Sequence, residues 1–251
     1  MQVPRGYRED TQRPWPLVVV VHDTLRSSQT LRTQFAAFAE EHGVMVLSPL
    51  FVAGIGDPTD VHNYKLIEYR GIRFDEVLLA MVEQVAQIYR LAAERFLLFG
   101  FSGGGQFVHR FLYLHPRRLQ AASIGAPGLV TLLDDQQPWW VGTGGLASTF
   151  GVEPDIAAMR EVAVQMIVGA DDTDTDILVE PESRLYMPAV NDAGATRIER
   201  LQALARSFRA AGVQVRFDLV SGAGHDTGEE LVLDRVQEFF GTVLAGSRRA
   251  V

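Results

Sequence analysis

Ser102 stands in the run Phe96-Leu97-Leu98-Phe99-Gly100-Phe101-Ser102-Gly103-Gly104-Gly105, where Gly100 to Gly104 match G-x-S-x-G. An apolar stretch ends at Phe99 and a helical pattern follows at once. That is the setting of a nucleophile elbow, a strand-to-helix turn so tight that the serine is strained and its Oγ exposed. Side chains at positions 100 and 104 would collide with neighbouring chain in such a turn. The helix N-terminus beyond the serine adds N–H groups and the positive end of a dipole. The competing chemistry of glycine-rich turns is phosphate or dinucleotide binding. It fails on spacing: the third glycine of G-x-G-x-x-G, counted from Gly103 and Gly105, falls on Val108, and the P-loop lysine is missing.

A serine nucleophile needs a base and a group that orients the base. Of the six histidines, His225 alone lies late in the chain on a glycine-flanked loop, Ser221-Gly222-Ala223-Gly224-His225-Asp226, between a strand pattern and the last helix. The orienting acid is expected after a strand between Ser102 and His225. There Gly169-Ala170-Asp171-Asp172-Thr173-Asp174-Thr175-Asp176 offers four carboxylates. Asp172, three residues beyond Gly169, is preferred, with Asp171 and Asp174 left open. A calcium loop of the EF-hand type is excluded, because its glycine position falls on Ile177 and its glutamate position on Ser183. The oxyanion donors expected are Gly103 N–H, directly after the nucleophile, and Thr24 N–H, in Val21-His22-Asp23-Thr24-Leu25 after the first strand.

Alternating elements must position these groups. The β-branched run Leu17 to Val21 reads as a strand buried on both faces. Further strands are expected over 44–47, 96–99, 121–124, 162–168 and 213–220. Helices are expected over 28–42, 74–93, 105–115, 196–211 and 227–245. This alternation predicts a three-layer αβα sandwich around a mostly parallel, doubly wound sheet. Residues 1–251 read as a single domain, with 126–161 as a cap or substrate-loop insertion because it is long and breaks the rhythm. In that insertion Trp139 and Trp140 are expected to wall the substrate cavity, with packing of the loop onto the core as the alternative. Tyr64, Lys65, Arg70 and Arg73 read as solvated surface in preference to a handle for an anionic substrate. Asp171, Asp174 and Asp176 weigh against anions at the mouth.

Composition narrows the classes. The 251 residues are 47% hydrophobic and 22% charged, as in an ordinary globular protein. The net charge of −8 argues against a general nucleic-acid binder. The absence of cysteine excludes disulfides, thiolate metal sites and a thiol nucleophile, and suits the cytoplasm. Residues Met1 to Tyr7 carry no apolar leader core, and no stretch approaches the roughly 18 apolar residues of a membrane span.

Val18 to Thr24, the Gly100 to Gly105 elbow, Gly169 to Asp172 and Gly222 to His225 follow one another in an order that resembles the α/β-hydrolase superfamily. Within it the chain looks most like the poly(3-hydroxybutyrate)-depolymerase-like and dienelactone-hydrolase-like esterases. The resemblance implies carboxylic-ester hydrolysis without cofactor or metal, by Ser102, His225 and Asp172. It departs in two places. The family usually has His-Gly after the first central strand, where this chain has His22-Asp23, and the left-handed tolerance of aspartate at Asp23 would keep the hole open. The family also has two antiparallel strands before the central one. Here the sheet is trimmed, with Val3 to Tyr7 as a remnant, or the true start lies upstream. The partner expected is a small-molecule ester, with no nucleic acid and no membrane; a homodimer is compatible with this. Activity is expected to fall in acid as the histidine base takes up a proton. The competing readings are a non-hydrolytic small-molecule binding protein on the same fold, favoured if Asp23 blocks the hole, and acyl-transfer, lyase or thioesterase chemistry at the same site.

Overall fold

Leu17–Val21 form β1, and every residue of it is buried, as an unbroken apolar, valine-rich run requires of a strand covered on both faces. The computed structural model describes residues 1–226 and 230–249. After β1 come α1 (Ser28–Gln34), α2 (Ala36–His42), β2 (Met45–Leu47), the short hairpin β3 (Glu68–Tyr69) and β4 (Ile72–Arg73), and α3 (Phe74–Ile88). Then follow β5 (Phe96–Phe101), α4 (Gly103–Leu114), β6 (Leu119–Gly125), α5 (Leu146–Phe150), α6 (Ile156–Arg160) and β7 (Ala163–Gly169). The described chain closes with α7 (Arg197–Ala210), β8 (Val215–Val220) and α8 (Glu230–Arg249).

The central sheet is parallel throughout, in the order β2-β1-β5-β6-β7-β8. The chain steps outward from β1 to β2, then jumps back across β1 and proceeds the other way from β5. With right-handed crossovers, α1 and α2 therefore cover one face, and α3, α4 and α7 cover the other. The last helix, α8, packs against β6, β7, β8 and α2, so it lies on the first face. The expected three-layer, doubly wound fold is what the chain adopts. The direction of winding reverses between β1 and β5, and in open α/β sheets a ligand crevice opens there, beyond the carboxyl ends of the strands. The loop holding Thr24 leaves β1 at that crevice, and Ser102 follows β5.

Several boundaries differ from the sequence expectation. The helix over 28–42 is broken at Phe35, whose fully buried ring turns into the core against Phe38 and Phe99. The helix expected to reach 93 stops at Ile88. Beyond it, Trp15 N–H donates to Arg90 O (2.8 Å) and Ala92 N–H to Trp15 O (2.8 Å), so the backbone is drawn out into a bridge beside β1. Ile88 is accordingly 67% exposed. Helix α4 begins at Gly103 and α8 runs on to Arg249; the expected helical residues 227–229 lie outside the described residues. The remnant of an N-terminal strand is a single antiparallel bridge, Gln2 to Val46, at the outer edge of β2, and not Val3 to Tyr7. Among the described residues no helix is long and apolar enough to cross a membrane.

Candidate active site

The backbone at Ser102 has φ 55° and ψ −113°. A positive φ costs a non-glycine residue about 1–3 kcal/mol and persists only where the surroundings enforce it. Ser102 N–H donates to Gly125 O (2.8 Å), and Gln106 N–H donates to Ser102 O (3.1 Å). A Cβ on Gly100 would lie 2.4 Å from Gly104 C, and one on Gly104 would lie 2.4 Å from Val21 O. The turn therefore closes only with glycine at both positions.

His225 reaches this serine from the loop after β8. Its Nε2 lies 3.1 Å from Ser102 Oγ, and its Nδ1 lies 2.7 Å from Asp172 Oδ2. With the carboxylate ionised, Nδ1–H donates to Asp172 and Nε2 accepts from the serine hydroxyl. Phe101 packs against the imidazole, ring centroids 5.1 Å apart. The loops after β7 and β8 are tied together: Ala170 N–H donates to Val220 O (2.8 Å) and Asp171 N–H to Ala223 O (2.9 Å). Of the three carboxylates left open by the sequence, Asp172 is the one that meets His225; it is 1% exposed, whereas Asp171 and Asp174 face solvent.

Arg197 was not singled out from the sequence. Its Nη1 lies 3.3 Å from Asp172 Oδ1 and 2.9 Å from Asp176 Oδ1, and its Nη2 lies 3.0 Å from Asp176 Oδ2. The second oxygen of Asp172 is thus held by a buried guanidinium. The same hydrogen bonding keeps the Asp176 carboxyl below its ordinary range. One signal was available. Arg197 is the first residue of α7, directly after the Thr196 cap, where the helix dipole opposes a cation. A cation there implies a nearby carboxylate.

The two expected oxyanion donors lie side by side, since a Cβ on Gly103 would be 3.1 Å from Thr24 N. The Thr24 loop is pinned by His22, which is fully buried. Phe51 N–H donates to His22 Nε2 (3.0 Å), His22 Nδ1–H donates to Asp23 O (2.7 Å), and Tyr64 Oη–H donates to His22 O (2.9 Å). Burial pushes the His22 imidazole down to about 4 and keeps it neutral. Asp23 does not use its left-handed tolerance; the positive φ in this loop falls on Arg26 (63°). The Asp23 carboxylate accepts from Ser27 N–H (3.1 Å) and Ser27 Oγ–H (3.0 Å).

Two cavities meet at Ser102 and Thr24. One, of about 410 Å³, is bounded by Lys65, Gln106, Leu129, Arg197 and much of 176–185. The other, of about 520 Å³, is bounded by Asp23, Ser27, Thr30, His225 and Asp226. Trp139 and Trp140 line neither. Trp139 packs edge-on against Phe150 (4.9 Å), and Trp140, 9% exposed, joins Leu129, Val141, Val179 and Val190 in a satellite core. Two indoles gain more from burying their area than from facing a wet cleft. The apolar wall comes instead from Ile177, Leu178 and Leu185, and 126–161 contributes only Gly128 and Leu129. The surface reading of 64 and 65 also needs correction: Tyr64 is fully buried and Lys65 is 4% exposed. Arg73 instead pairs with Asp75 (2.6 Å). Among the described residues no three His, Asp or Glu side chains gather as metal ligands.

No family model and no curated protein matches the chain. Solved structures do. Poly(aspartic acid) hydrolase-1 from Sphingomonas sp. KT-1 superposes with a TM-score of 0.73 at 20% identity, over 94% of this chain and 90% of that one. LpqC, a poly(3-hydroxybutyrate) depolymerase from Bordetella parapertussis, gives 0.73 at 24% identity, over 97% and 85%. FphF, a fluorophosphonate-binding serine hydrolase from Staphylococcus aureus, gives 0.59 at 17% identity, over 96% and 90%. At these identities the likeness is one of fold, and the fold is that of the α/β-hydrolases.

Proposed function

We propose that this α/β-hydrolase-fold chain is a serine hydrolase that cleaves a carboxylic ester through an acyl-enzyme. The observation that carries this reading is the relay from strained Ser102 through His225 to buried Asp172, with contacts of 3.1 and 2.7 Å. Ser102 Oγ attacks the ester carbonyl while its proton passes to His225 Nε2, and the carbonyl oxygen takes up negative charge against the N–H groups of Gly103 and Thr24. The C–O bond to the alcohol then breaks, and His225 returns the proton to the departing oxygen. Water, deprotonated by His225, attacks the acyl-serine; the acid leaves and Ser102 regains its proton. Asp172 keeps the imidazole in the required tautomer, with its far oxygen fixed by Arg197.

His225 borders the larger cavity and not the smaller. The group that receives its proton, the alcohol, therefore leaves through the larger one, and the acyl chain occupies the smaller. The structural neighbours support this class: one is a depolymerase of the polyester poly(3-hydroxybutyrate), one a fluorophosphonate-binding serine hydrolase and one a poly(aspartic acid) hydrolase. Asp23, engaged by Ser27, gives no ground for a blocked hole and a purely binding role. The lack of cysteine fits a reducing compartment, the cytoplasm in this reading. The test is a panel of alkyl esters and thioesters with the wild type, Ser102→Ala and His225→Gln. The wild type is expected to turn over, and each variant to lose at least about 10³-fold in kcat. Hydrolysis by Ser102→Ala at the wild-type rate would overturn the reading.

A further inference from the structure

Lys65 carries a buried amine with no paired carboxylate among the described residues. It lines the smaller cavity at 4% exposure, and its Nζ donates to His62 Nδ1 (2.7 Å). His62 is no counter-charge: burial, then the lysine itself, hold the imidazole down at about 4, so it is neutral. Lysine is almost never this buried unless paired, because an unpaired ammonium loses its hydration without return.

The surroundings repeat the pattern. Arg26 donates to Phe51 O, Thr24 O, Val61 O and Asn63 Oδ1, all neutral acceptors. Fully buried Arg110 donates to Thr131 Oγ1, Lys65 O and Gln106 O, again neutral, and faces the Trp140 ring. Burial first, then Arg26 and Arg110, push the Lys65 amine down to about 7, against the weaker pull of Asp23 and Asp60. In a chain of net charge −8, three basic side chains with neutral partners have been gathered behind one wall of the cavity. The acids on the same cavity are otherwise placed: Asp176 is paired with Arg197, and Glu180 faces solvent.

Two further observations fix the direction of this charge. A Cβ on Gly103 would lie 2.8 Å from Lys65 Cε, so the lysine stem packs directly on an oxyanion-hole residue. Gln106, on the same cavity and 6% exposed, leaves its amide Oε1 without a partner among the described residues. An amide can turn to present N–H instead of oxygen, so this group can serve an anion.

We propose that the acyl cavity recognises a carboxylate carried by the acyl chain, held by Lys65 Nζ with Gln106 beside it. The preferred substrates are then half-esters of short dicarboxylic acids. This rests on the ester-hydrolase reading and names its substrate class.

The test compares monoethyl glutarate with ethyl 5-methylhexanoate, which has the same shape with an isopropyl group in place of the carboxylate. Ethanol release gives kcat/KM for each. The wild type is expected to favour the half-ester, and Lys65→Met to lower the ratio of the two values by about tenfold or more, as befits a lost charge-assisted hydrogen bond. Lys65→Gln replaces it if the Met variant does not fold. In parallel, calorimetry follows monoethyl glutarate binding to Ser102→Ala and to Ser102→Ala/Lys65→Met, with binding expected only in the first. Cleavage of both esters with a ratio indifferent to Lys65 overturns the anion site and leaves ester hydrolysis standing. Lys65-dependent binding with no cleavage by the wild type supports the anion site and overturns ester hydrolysis. Neither cleavage nor binding overturns both.

Discussion

Replacing Arg197 by Met isolates the guanidinium behind Asp172, the proposed acid. Asp172 has a fully buried side chain, and Arg197 is 8% exposed at the side chain. Without Arg197, Asp172 Oδ1 stays buried and loses its 3.3 Å partner, while Oδ2 keeps His225. Stranding one member of a buried ion pair costs roughly 3–5 kcal/mol. The second partner contributes little: the Asp176 side chain is 65% exposed, and a surface partner is worth about 1 kcal/mol or less. Arg197→Met is therefore expected to lower unfolding stability by roughly 3–5 kcal/mol, and Asp176→Asn by about 1 kcal/mol or less. The discriminating protein is the double variant Arg197→Met/Asp172→Asn. It removes both charges, so it is expected to be more stable than Arg197→Met alone by about 2 kcal/mol or more, though catalytically dead. Urea unfolding followed by tryptophan fluorescence and circular dichroism measures these proteins beside the wild type and Asp172→Asn. Costs that add to within about 0.5 kcal/mol would refute the coupling, and with it the assignment of Arg197 as the clamp on the acid.

Ser102→Gly removes the strained φ of 55° and should raise stability by about 1 kcal/mol, net of the added chain entropy of glycine; a loss in the same urea assay contradicts the strain. Acid should destabilise the fold before its carboxylates titrate. The unfolded chain protonates His22 near its ordinary value of about 6.5, the folded chain only near 4, so stability is intact above that window and falls as pH drops through it. For His22 alone the loss is roughly 3 kcal/mol by pH 4, and a urea midpoint unchanged between pH 7 and pH 4.5 contradicts the neutral, buried imidazole. Trp140→Ala should cost roughly 3–5 kcal/mol in stability without altering the relative rates on short and long acyl esters. A shift in that selectivity would return the indole to the cavity wall.

The residues proposed to carry the chemistry were legible because turn geometry writes itself into the sequence. The elbow needs glycines on both sides of Ser102, and a leucine followed by four β-branched valines reads as a buried strand. The acid was legible as Asp172 from its place three residues beyond Gly169, with Asp171 and Asp174 left open; the burial that sets Asp172 apart has no local signature in an aspartate-rich turn. What stayed hidden depends on long-range packing. Phe35 and the 90–92 segment follow the helical period, yet the core and the Trp15 bridge pull them out of it. Lys65 and Tyr64 sit in a polar stretch that reads as surface, and only the folding of that stretch over the β1–β5 crevice buries them. The 176–185 wall has no periodicity to read, and the Trp pair suggested a cavity wall, whereas it lines neither cavity and packs against Phe150 and the satellite core.

The most direct measurement is labelling with a fluorophosphonate, with the adduct located by peptide mass spectrometry in the wild type, Ser102→Ala and His225→Gln. A single adduct on Ser102 is expected, absent from Ser102→Ala and slowed at least about 10³-fold in His225→Gln. A folded wild type that takes no adduct, or takes it on another residue, would contradict an activated serine at the elbow.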